Sequence, residues 1–463
     1  MNRRLFLKVA AVLSAMFPVS KGFAATSNSF LASVYHLLLN RSIQEKYFSD
    51  HFNLSLASIY WGDIHNHTNM SSDATEALCG SPPHSLEEAF IYARDTAKLD
   101  FVAVTDHADL RSGFDITGAI DNWKKYQNVL AEYNDEARFV IFPGWEYTNT
   151  LGLEPTGGSN TGYGHKQVIF KETTGLPEKM IGAFNTPPSI NEIEVADTAQ
   201  ELWDMLGAYL PSPGAAPTAL TVVHTPAMSG DGEPKHNHQT DFDAMHSIFV
   251  RNIEIYSKWG NSEGLAPEGT GCAGSDTVID YDAGYQVASK TVRSLLYTKW
   301  VQDHNPNFAL GFTGGTDNHY GQPANPSLNQ CGFPYRGGIT GIAVSAFSRA
   351  GLWQSLYDRH TIAATTDCRL RLLFAVETNG QHLLMGSVGA HNGTVRVWAL
   401  ADSTVDQLEI IVDGCLQETV AGYTVDKTYT LTADYHYVYV KAVKAPSGPT
   451  TQVAWASPVY LSA

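Results

Sequence analysis

The sequence predicts an α/β protein, a β/α barrel followed by an all-β sandwich. Short apolar runs alternate with segments of helical periodicity from about residue 56 to residue 369. The runs are apolar almost throughout, which is typical of parallel strands buried on both faces. From about Leu370 onward, short alternating strands separated by turns replace the helical pattern. With roughly seven or eight strand–helix units, a closed barrel is favoured over an open sheet.

The predicted elements follow one another along the chain. A helical segment covers residues 26–57, and the first strand ends just before His65. A helix over Ser85–Leu99 begins with a capping box, in which Ser85 and Glu88 satisfy each other's backbone N–H groups. The later predicted strands are Phe101–Val104, Arg138–Phe142, Gln167–Phe170, Thr218–Val223, Asn252–Tyr256, Phe308–Phe312 and Ile339–Val344. The later predicted helices are Asn122–Asn134, Ile190–Leu210, Gln286–Asp303 and Arg349–His360.

Residues 1–25 are typical of an export signal. Arg3 and Arg4 precede an apolar run over Val9–Val19, and small residues follow at Ala24 and Ala25. The run is too short for a spanning helix, and the paired arginines resemble a twin-arginine (Tat) signal. An ordinary secretory signal and an uncleaved anchor are the alternatives. We therefore expect a periplasmic or secreted protein without a transmembrane segment, because no later stretch approaches membrane-spanning length.

Composition narrows the classes of partner. The 463 residues carry a formal net charge of -17, which argues against a nucleic-acid backbone as the partner. An anionic substrate would need bound metal ions to supply positive potential. The five cysteines contain no Cys-x-x-Cys pair, which argues against a thiolate zinc site, and their spacing selects no disulfide pairing.

A recurring feature is a strand-like run that stops at His, Asp or Glu. In Tyr60–Thr68, His65 and His67 project from the same face because alternate side chains of a strand share a face. Each later candidate could separately be a turn, capping or core residue, but together they fall at one edge of the predicted barrel. The nine candidate ligands are His65, His67, Asp73, His107, Glu146, His165, His224, Asp317 and His319. Mixed nitrogen and oxygen donors suit zinc, manganese or iron, and this number of ligands suits two or three divalent ions.

The chain resembles the PHP superfamily, named for polymerase and histidinol phosphatase, in a set of short motifs. These are His65-x-His67, Thr105-Asp106-His107, Pro143-Gly144-x-Glu146, His165, His224 and Asp317-x-His319. The resemblance covers the predicted barrel and implies a distorted (β/α)7 barrel with a trinuclear metal centre. It implies one ion on His65, His67, Glu146 and Asp317, a second on Glu146, His165 and His224, and a third on Asp73, His107 and His319.

These observations favour an exported, metal-dependent hydrolase, specifically a phosphoesterase. The predicted domains are a signal at 1–25, a PHP-like barrel at 26–369 and a sandwich at 370–463. Glu146 would bridge metals, and a metal-activated water would be the nucleophile. The chain has no Gly-x-Ser-x-Gly elbow that would signal a protein nucleophile. Two alternatives stay open: hydrolysis of a non-phosphate bond at the same centre, and a metal-loaded protein that binds an envelope polymer.

Residues around the predicted ligands have expected roles of their own. Asp63 and Asp106 each lie beside a candidate ligand and are expected to orient imidazole rings. An anionic substrate, whether a small molecule or derived from the cell envelope, would need a cation near the loops. The candidate cations are Lys166, Arg251, Lys258, Arg336 and Arg369, of which Lys166 and Arg369 are assigned to substrate binding.

Overall fold

A computed structural model gives the fold of this chain. It describes residues 24–71, 73–74, 82–108, 119–149, 163–183, 193–210, 216–228, 240–272, 274–326, 335–367, 369–446 and 450–463. Residues 1–23 of the predicted export signal lie outside this part of the chain, so the signal stays a prediction. Among the described residues, no helix combines the length and the apolar character needed to cross a membrane.

The described secondary structure is rich in strands. The α-helices are α1 Ala24–Phe52, α2 Leu86–Ile91, α3 Ala119–Tyr133, α4 Ala199–Leu206, α5 Val292–Leu296 and α6 Arg349–Tyr357. Single π-helical segments, Tyr92–Thr96 and Tyr297–Gln302, continue α2 and α5. Short 3-10 turns cover Leu56–Ser58, Gly207–Tyr209, Phe242–Ala244, Ala288–Lys290 and Pro306–Phe308.

The strands of the first three quarters of the chain are β1 Ile59–Asp63, β2 Phe101–Val102, β3 Val140–Ile141, β4 Gly144–Asn149, β5 Gly164–Phe170, β6 Ile181–Gly182, β7 Glu194–Val195, β8 Ala219–His224, β9 Val250–Ser257, β10 Gly260–Asn261, β11 Gly311–Gly314, β12 Gly338–Ala343 and β13 Thr361–Thr365. The later strands are β14 Leu372–Thr378, β15 Gln381–Leu384, β16 Val388–Ala390, β17 Thr394–Ala401, β18 Gln407–Val412, β19 Cys415–Ala421, β20 Thr424–Thr430, β21 Tyr435–Lys444, β22 Gln452–Ala456 and β23 Val459–Ser462.

The strands form three larger sheets and one small pair. The largest sheet has the order β16-β23-β21-β22-β13-β12-β1-β2-β3, with β18 beside β21 and β19 beside β18. A second sheet has the order β10-β9-β8-β5-β4, with β11 beside β9, and a third has the order β15-β14-β17-β20. The α/β class is confirmed. Within the described residues, however, no sheet closes on itself, so a closed barrel is not seen.

The expectation of an all-parallel sheet is wrong. β1 is parallel to β2, and β8 is parallel to β9, but β1 is antiparallel to β12 and β5 is antiparallel to both β4 and β8. Apolar runs look the same in both arrangements when both faces of a sheet are buried. Strands β4 and β5 follow one another without a predicted crossover helix, which parallel pairing would require.

Several predicted elements differ in extent. The strand expected over Arg138–Phe142 shortens to β3, and Glu146 lies inside the next strand instead of following a strand end. The helix expected over Gln286–Asp303 is divided into a 3-10 turn, α5 and a π-helical segment. The capping box predicted at Ser85 is present, with its hydroxyl accepting from the Glu88 N–H.

The C-terminal strands join the largest sheet. β13 pairs with β22, with Ile362 opposite Ala456, so backbone pairing crosses residue 370. The boundary of a separate C-terminal domain stays a prediction. A disulfide bond between Cys272 and Cys415 also ties the segment after β10 to β19.

A largely buried network of charged side chains also links the segment after β10 to the C-terminal strands. The Arg293 guanidinium donates to Glu263 at 3.1 Å and to Asp276 at 3.0 Å. The Lys441 ammonium lies 3.4 Å from both Glu263 and Glu409. All of these side chains are at most 6% exposed. Breaking such a network is costly because it leaves buried charges without partners.

We predict that Arg293→Met destabilises the protein by about 3–5 kcal/mol, because Glu263 and Asp276 would lose one of their two buried cationic partners and keep only Lys441. The matched control is Lys427→Met, which removes an exposed pair with Glu418 and should cost below about 1 kcal/mol. Denaturant unfolding of the two variants measures the difference. Equal losses would contradict a structural role for the buried network.

Candidate metal centre

Two sheet edges meet at the candidate centre. His65 and His67 follow β1, and an isolated backbone pairing joins Asn66 to Asn318 in the loop after β11. The His67 N–H donates to the Asn318 carbonyl at 2.7 Å, and the Asp317 N–H donates to the His65 carbonyl at 2.7 Å. These bonds bring the His-x-His and Asp-x-His motifs side by side.

The second sheet supplies the remaining side chains from one face. Across β4 and β5, Thr148 lies opposite His165, and across β5 and β8, His165 lies opposite His224. Directly opposed residues of antiparallel strands share a face, and Glu146 shares the face of Thr148 two residues away. A backbone pairing of His107 with Glu146 joins this face to the end of β2.

The described part of the chain contains four groups of side chains, and within each group the ligand atoms lie within 4.8 Å of one another. The groups are His65, His67, Glu146 and Asp317; His67, Asp73, His107 and His319; His107, Glu146 and His165; and His65, His224 and Glu254. All nine predicted ligands therefore come together. The sets implied for the first and third ions each fall within one group, whereas His165 and His224, implied for the second, fall in different groups.

Charges in the cluster are set by burial and by close neighbours. Burial alone would lower the pKa of His65, but Asp317, Glu254 and Glu146 raise that pKa well above its usual value. Burial and the neighbouring His319 lower the pKa of His67 to about 4. His65 therefore holds its proton more tightly than a free imidazole does, whereas His67 is a neutral imidazole at neutral pH and can offer a nitrogen lone pair to a metal.

The carboxylates of the cluster remain ionised. Burial would raise the pKa of Glu146, but His107, His65 and His165 hold it well below its usual range. Burial would likewise raise the pKa of Asp73, but His107 and His319 hold it well below its usual value. One buried oxygen of Asp73 has no hydrogen-bond partner among the described residues. Ionised carboxylates beside imidazoles, which bind a metal once they are deprotonated, form a donor set that fits a divalent transition metal.

Asp63 and Asp106 do not contact imidazole rings, contrary to expectation. Asp63 accepts from the backbone N–H groups of His65 at 3.1 Å and Thr316 at 3.2 Å. Asp106 accepts from the Thr68 N–H at 2.6 Å. Both carboxylates therefore brace the backbone that carries the ligands. Burial raises the pKa of each to about 6.

Glu254 is a residue of the cluster that the sequence analysis did not single out. Its carboxylate, 1% exposed, accepts from His65 Nδ1 at 3.0 Å and from His224 Nδ1 at 2.6 Å. Donation from both Nδ1 atoms leaves both Nε2 atoms directed at the cluster, as their distances of 3.3–3.4 Å to Asp317 show. The sequence signal for this residue is a single acidic side chain within the buried strand β9.

The two cations assigned to substrate binding lie away from the cluster. Lys166 alternates with His165 on β5, so it projects from the opposite face and donates to the Tyr163 carbonyl. Burial lowers its pKa to about 7. Arg369 donates to the Lys98 carbonyl at 3.0 Å and lines a cleft of about 630 Å³ at the start of β1, opposite the end that carries His65. Neither position supports substrate binding at the cluster.

Comparisons with known proteins leave the family open. No family model matches the chain. It is 22% identical over 475 aligned positions to an uncharacterised protein of Chlamydia pneumoniae, covering 96% of this chain and 65% of that protein. It is also 22% identical over 361 positions to an uncharacterised protein of Chlamydia trachomatis, covering 76% of this chain and 47% of that protein. The chain spans less than two thirds of the length of these relatives.

One solved structure is similar in part. It is a two-domain protein from Bacteroides vulgatus containing a predicted PHP-like metal-dependent phosphoesterase. The match covers 88% of this chain and 96% of that one, with 13% sequence identity and a TM-score of 0.36. A TM-score of this size does not assign a shared fold, so the case for a metal centre rests on the side-chain cluster.

We predict that Glu254→Gln lowers the affinity for zinc or manganese roughly 10–100-fold, because an amide cannot accept from both Nδ1 atoms as a carboxylate does. Competition with a chromogenic chelator measures the affinity. The matched control is Asp413→Asn, which changes a carboxylate bound to His436 Nδ1 at 2.6 Å, outside the metal centre. Identical affinities for the wild type and Glu254→Gln would exclude the orienting role.

We predict that metal binding releases protons at pH 7. The carboxylates around His65 raise its pKa well above 6.5 despite burial, so this imidazole must lose a proton before it can bind a metal. Affinity should therefore rise as pH increases towards that pKa, and fall as pH decreases. Titration calorimetry in two buffers of different ionisation enthalpy measures the protons released. Heats that are independent of the buffer would contradict this prediction.

Proposed function

We propose that the chain is a metal-dependent hydrolase that acts on phosphate esters. The supporting observation is the convergence of nine separately predicted ligands in four overlapping groups, within each of which the ligand atoms lie within 4.8 Å of one another. Two or three divalent ions, zinc, manganese or iron, suit its mixture of imidazole and carboxylate donors. Bound ions of this kind supply Lewis acidity and an activated water for displacement at phosphorus.

Some residues of the cluster would hold ions, and others would contact the substrate as it enters. His65, His67 and Asp317 would hold one ion together with Glu146. Glu146 is suited to bridge because one of its oxygens lies 2.7 Å from His165, while the other lies 3.3 Å from both His65 and His67.

The substrate would enter on the side of Asp73. The Asp73 side chain is 21% exposed, whereas those of His65 and His67 are completely buried. His107 and His319, each 3.0 Å from Asp73 and 6% exposed, lie on the same side. An ester at this rim would contact these groups first and reach the deeper imidazoles only through bound ions.

The proposal extends to fold and location. Backbone pairings of His107 with Glu146, and of Asn66 with Asn318, link the edges of the two main sheets and support a distorted (β/α)7 barrel over residues 26–369. A sandwich over residues 370–463 and export by the signal at 1–25, to the periplasm or beyond the cell, belong to the same proposal.

The test is hydrolysis of a panel of phosphate esters by the metal-loaded protein, measured as inorganic phosphate released from monoesters and as alcohol released from diesters. We expect hydrolysis with at least one of zinc, manganese and iron, and a loss of more than roughly 100-fold in His65→Ala and Glu146→Gln. The matched control is His304→Ala, which removes an exposed histidine stacked on Tyr435, outside the cluster.

Failure of this test has a defined meaning. If no ester is hydrolysed although metal is bound, the phosphoesterase proposal is wrong, and amide, lactone and sulfate-ester substrates become the next panel. If none of these is hydrolysed either, a metal-loaded binding protein remains.

A further inference from the structure

The carboxylate of Asp317 faces three imidazole rings of the centre. The backbone φ of this residue is +51°, in the left-handed region, where aspartate is found more often than most residues other than glycine. One carboxylate oxygen, Oδ1, lies 2.9 Å from His67 Nε2 and 3.4 Å from His65 Nε2. The other, Oδ2, lies 3.3 Å from His224 Nε2. The rotation of this carboxylate therefore decides which oxygen faces which imidazole.

A tryptophan outside the nine predicted ligands fixes that rotation. The Trp259 indole N–H donates to Asp317 Oδ2 at 2.7 Å. This oxygen is not the one directed at His65 and His67, and the indole N–H, which is only a donor, can serve no other role towards the carboxylate. The planar ring also has fewer rotatable bonds than a lysine or arginine donor would have. The contact thus holds Oδ1 towards the His-x-His pair.

The residues on both sides of Trp259 fix its position. Trp259 lies in the tight turn between β9 and β10, where its own N–H donates to Ser257 Oγ at 3.1 Å. Gly260 completes the turn with φ +96°, a conformation that a side chain would strain.

The C-terminal strands anchor this turn through Glu263. Its buried carboxylate accepts from Tyr439 at 2.6 Å, from the Trp455 indole at 2.9 Å and from Arg293 at 3.1 Å. Tyr439 and Trp455 belong to β21 and β22. A short, rigid path therefore runs from the C-terminal strands through Glu263 and the turn to Asp317.

We propose that Trp259 is a positioning residue of the metal centre, and that the C-terminal strands hold it in place. The indole N–H orients Asp317 so that Oδ1 is presented to an ion shared with His65 and His67. This inference rests on the proposed function, since it requires a metal in the cluster. It gives the C-terminal strands a part in building the site.

The test uses Trp259→Phe, which keeps an aromatic ring and removes the N–H donor. The matched control is Trp203→Phe, whose indole donates to the Ala244 carbonyl at 2.9 Å, outside the cluster. With zinc or manganese as the probe, chelator competition should show roughly tenfold or greater loss of affinity in Trp259→Phe and none in Trp203→Phe.

Intrinsic fluorescence shows whether the metal binds beside Trp259, because removal of this indole also removes its share of the metal-dependent emission change. Metal binding to Asp317 changes the charge beside the Trp259 indole, so metal should change the emission of the wild type and of Trp203→Phe. That change should be smaller in Trp259→Phe. Equal affinity and an equal emission change in Trp259→Phe and the wild type would overturn the inference.

The experiment separates this inference from the proposed function. If the wild type binds no metal, the metal centre itself is wrong. If Trp259→Phe does not fold, Ser257→Ala takes its place, because it removes the acceptor that fixes the Trp259 backbone. A loss of metal affinity in Ser257→Ala, with unfolding unchanged, supports the inference, and unchanged affinity overturns it.

Discussion

Buried carboxylates need cationic partners, and at the centre of this chain the partners are imidazoles. Glu146 lies among His65, His107 and His165, and its pKa stays well below its usual range although burial opposes ionisation. Removing an ion from water costs several kcal/mol unless its partners compensate. The two main sheets must therefore meet closely enough for each acid to face several histidines. The same closeness makes the cluster suitable for metal ions.

The ligand candidates could be predicted from the sequence because their signal is local. His65 and His67 are spaced for one face of a strand, and Asp317 and His319 repeat that spacing after another apolar run. Glu254 and Trp259 could not be found in this way. Glu254 contacts His224 because β9 lies beside β8, and Trp259 contacts Asp317 because the turn after β9 reaches the loop after β11. Both contacts depend on the order of the strands, which local sequence does not give. A single glutamate in an apolar run is also compatible with many structural roles.

The fold was predictable to the level of its class. Helical periodicity is confined to the part of the sequence before residue 370, and in the described residues every helix lies there. Strand direction was not predictable, because buried parallel and antiparallel strands have the same apolar composition. The pairing of β13 with β22 could not be predicted either, because the alternation of apolar and polar residues along one strand does not identify the neighbouring strand. These pairings join the C-terminal strands to the sheet that carries His65.

A crystal of the metal-loaded protein, with anomalous diffraction recorded on both sides of the metal's absorption edge, tests the central claim most directly. The account predicts two or three anomalous peaks within the cluster, each among side chains of one group and including one beside His65, His67, Glu146 and Asp317. A cluster without a peak, in crystals whose metal sits only on surface histidines, would contradict a metal centre. The imidazoles and carboxylates would then form a structural charge network.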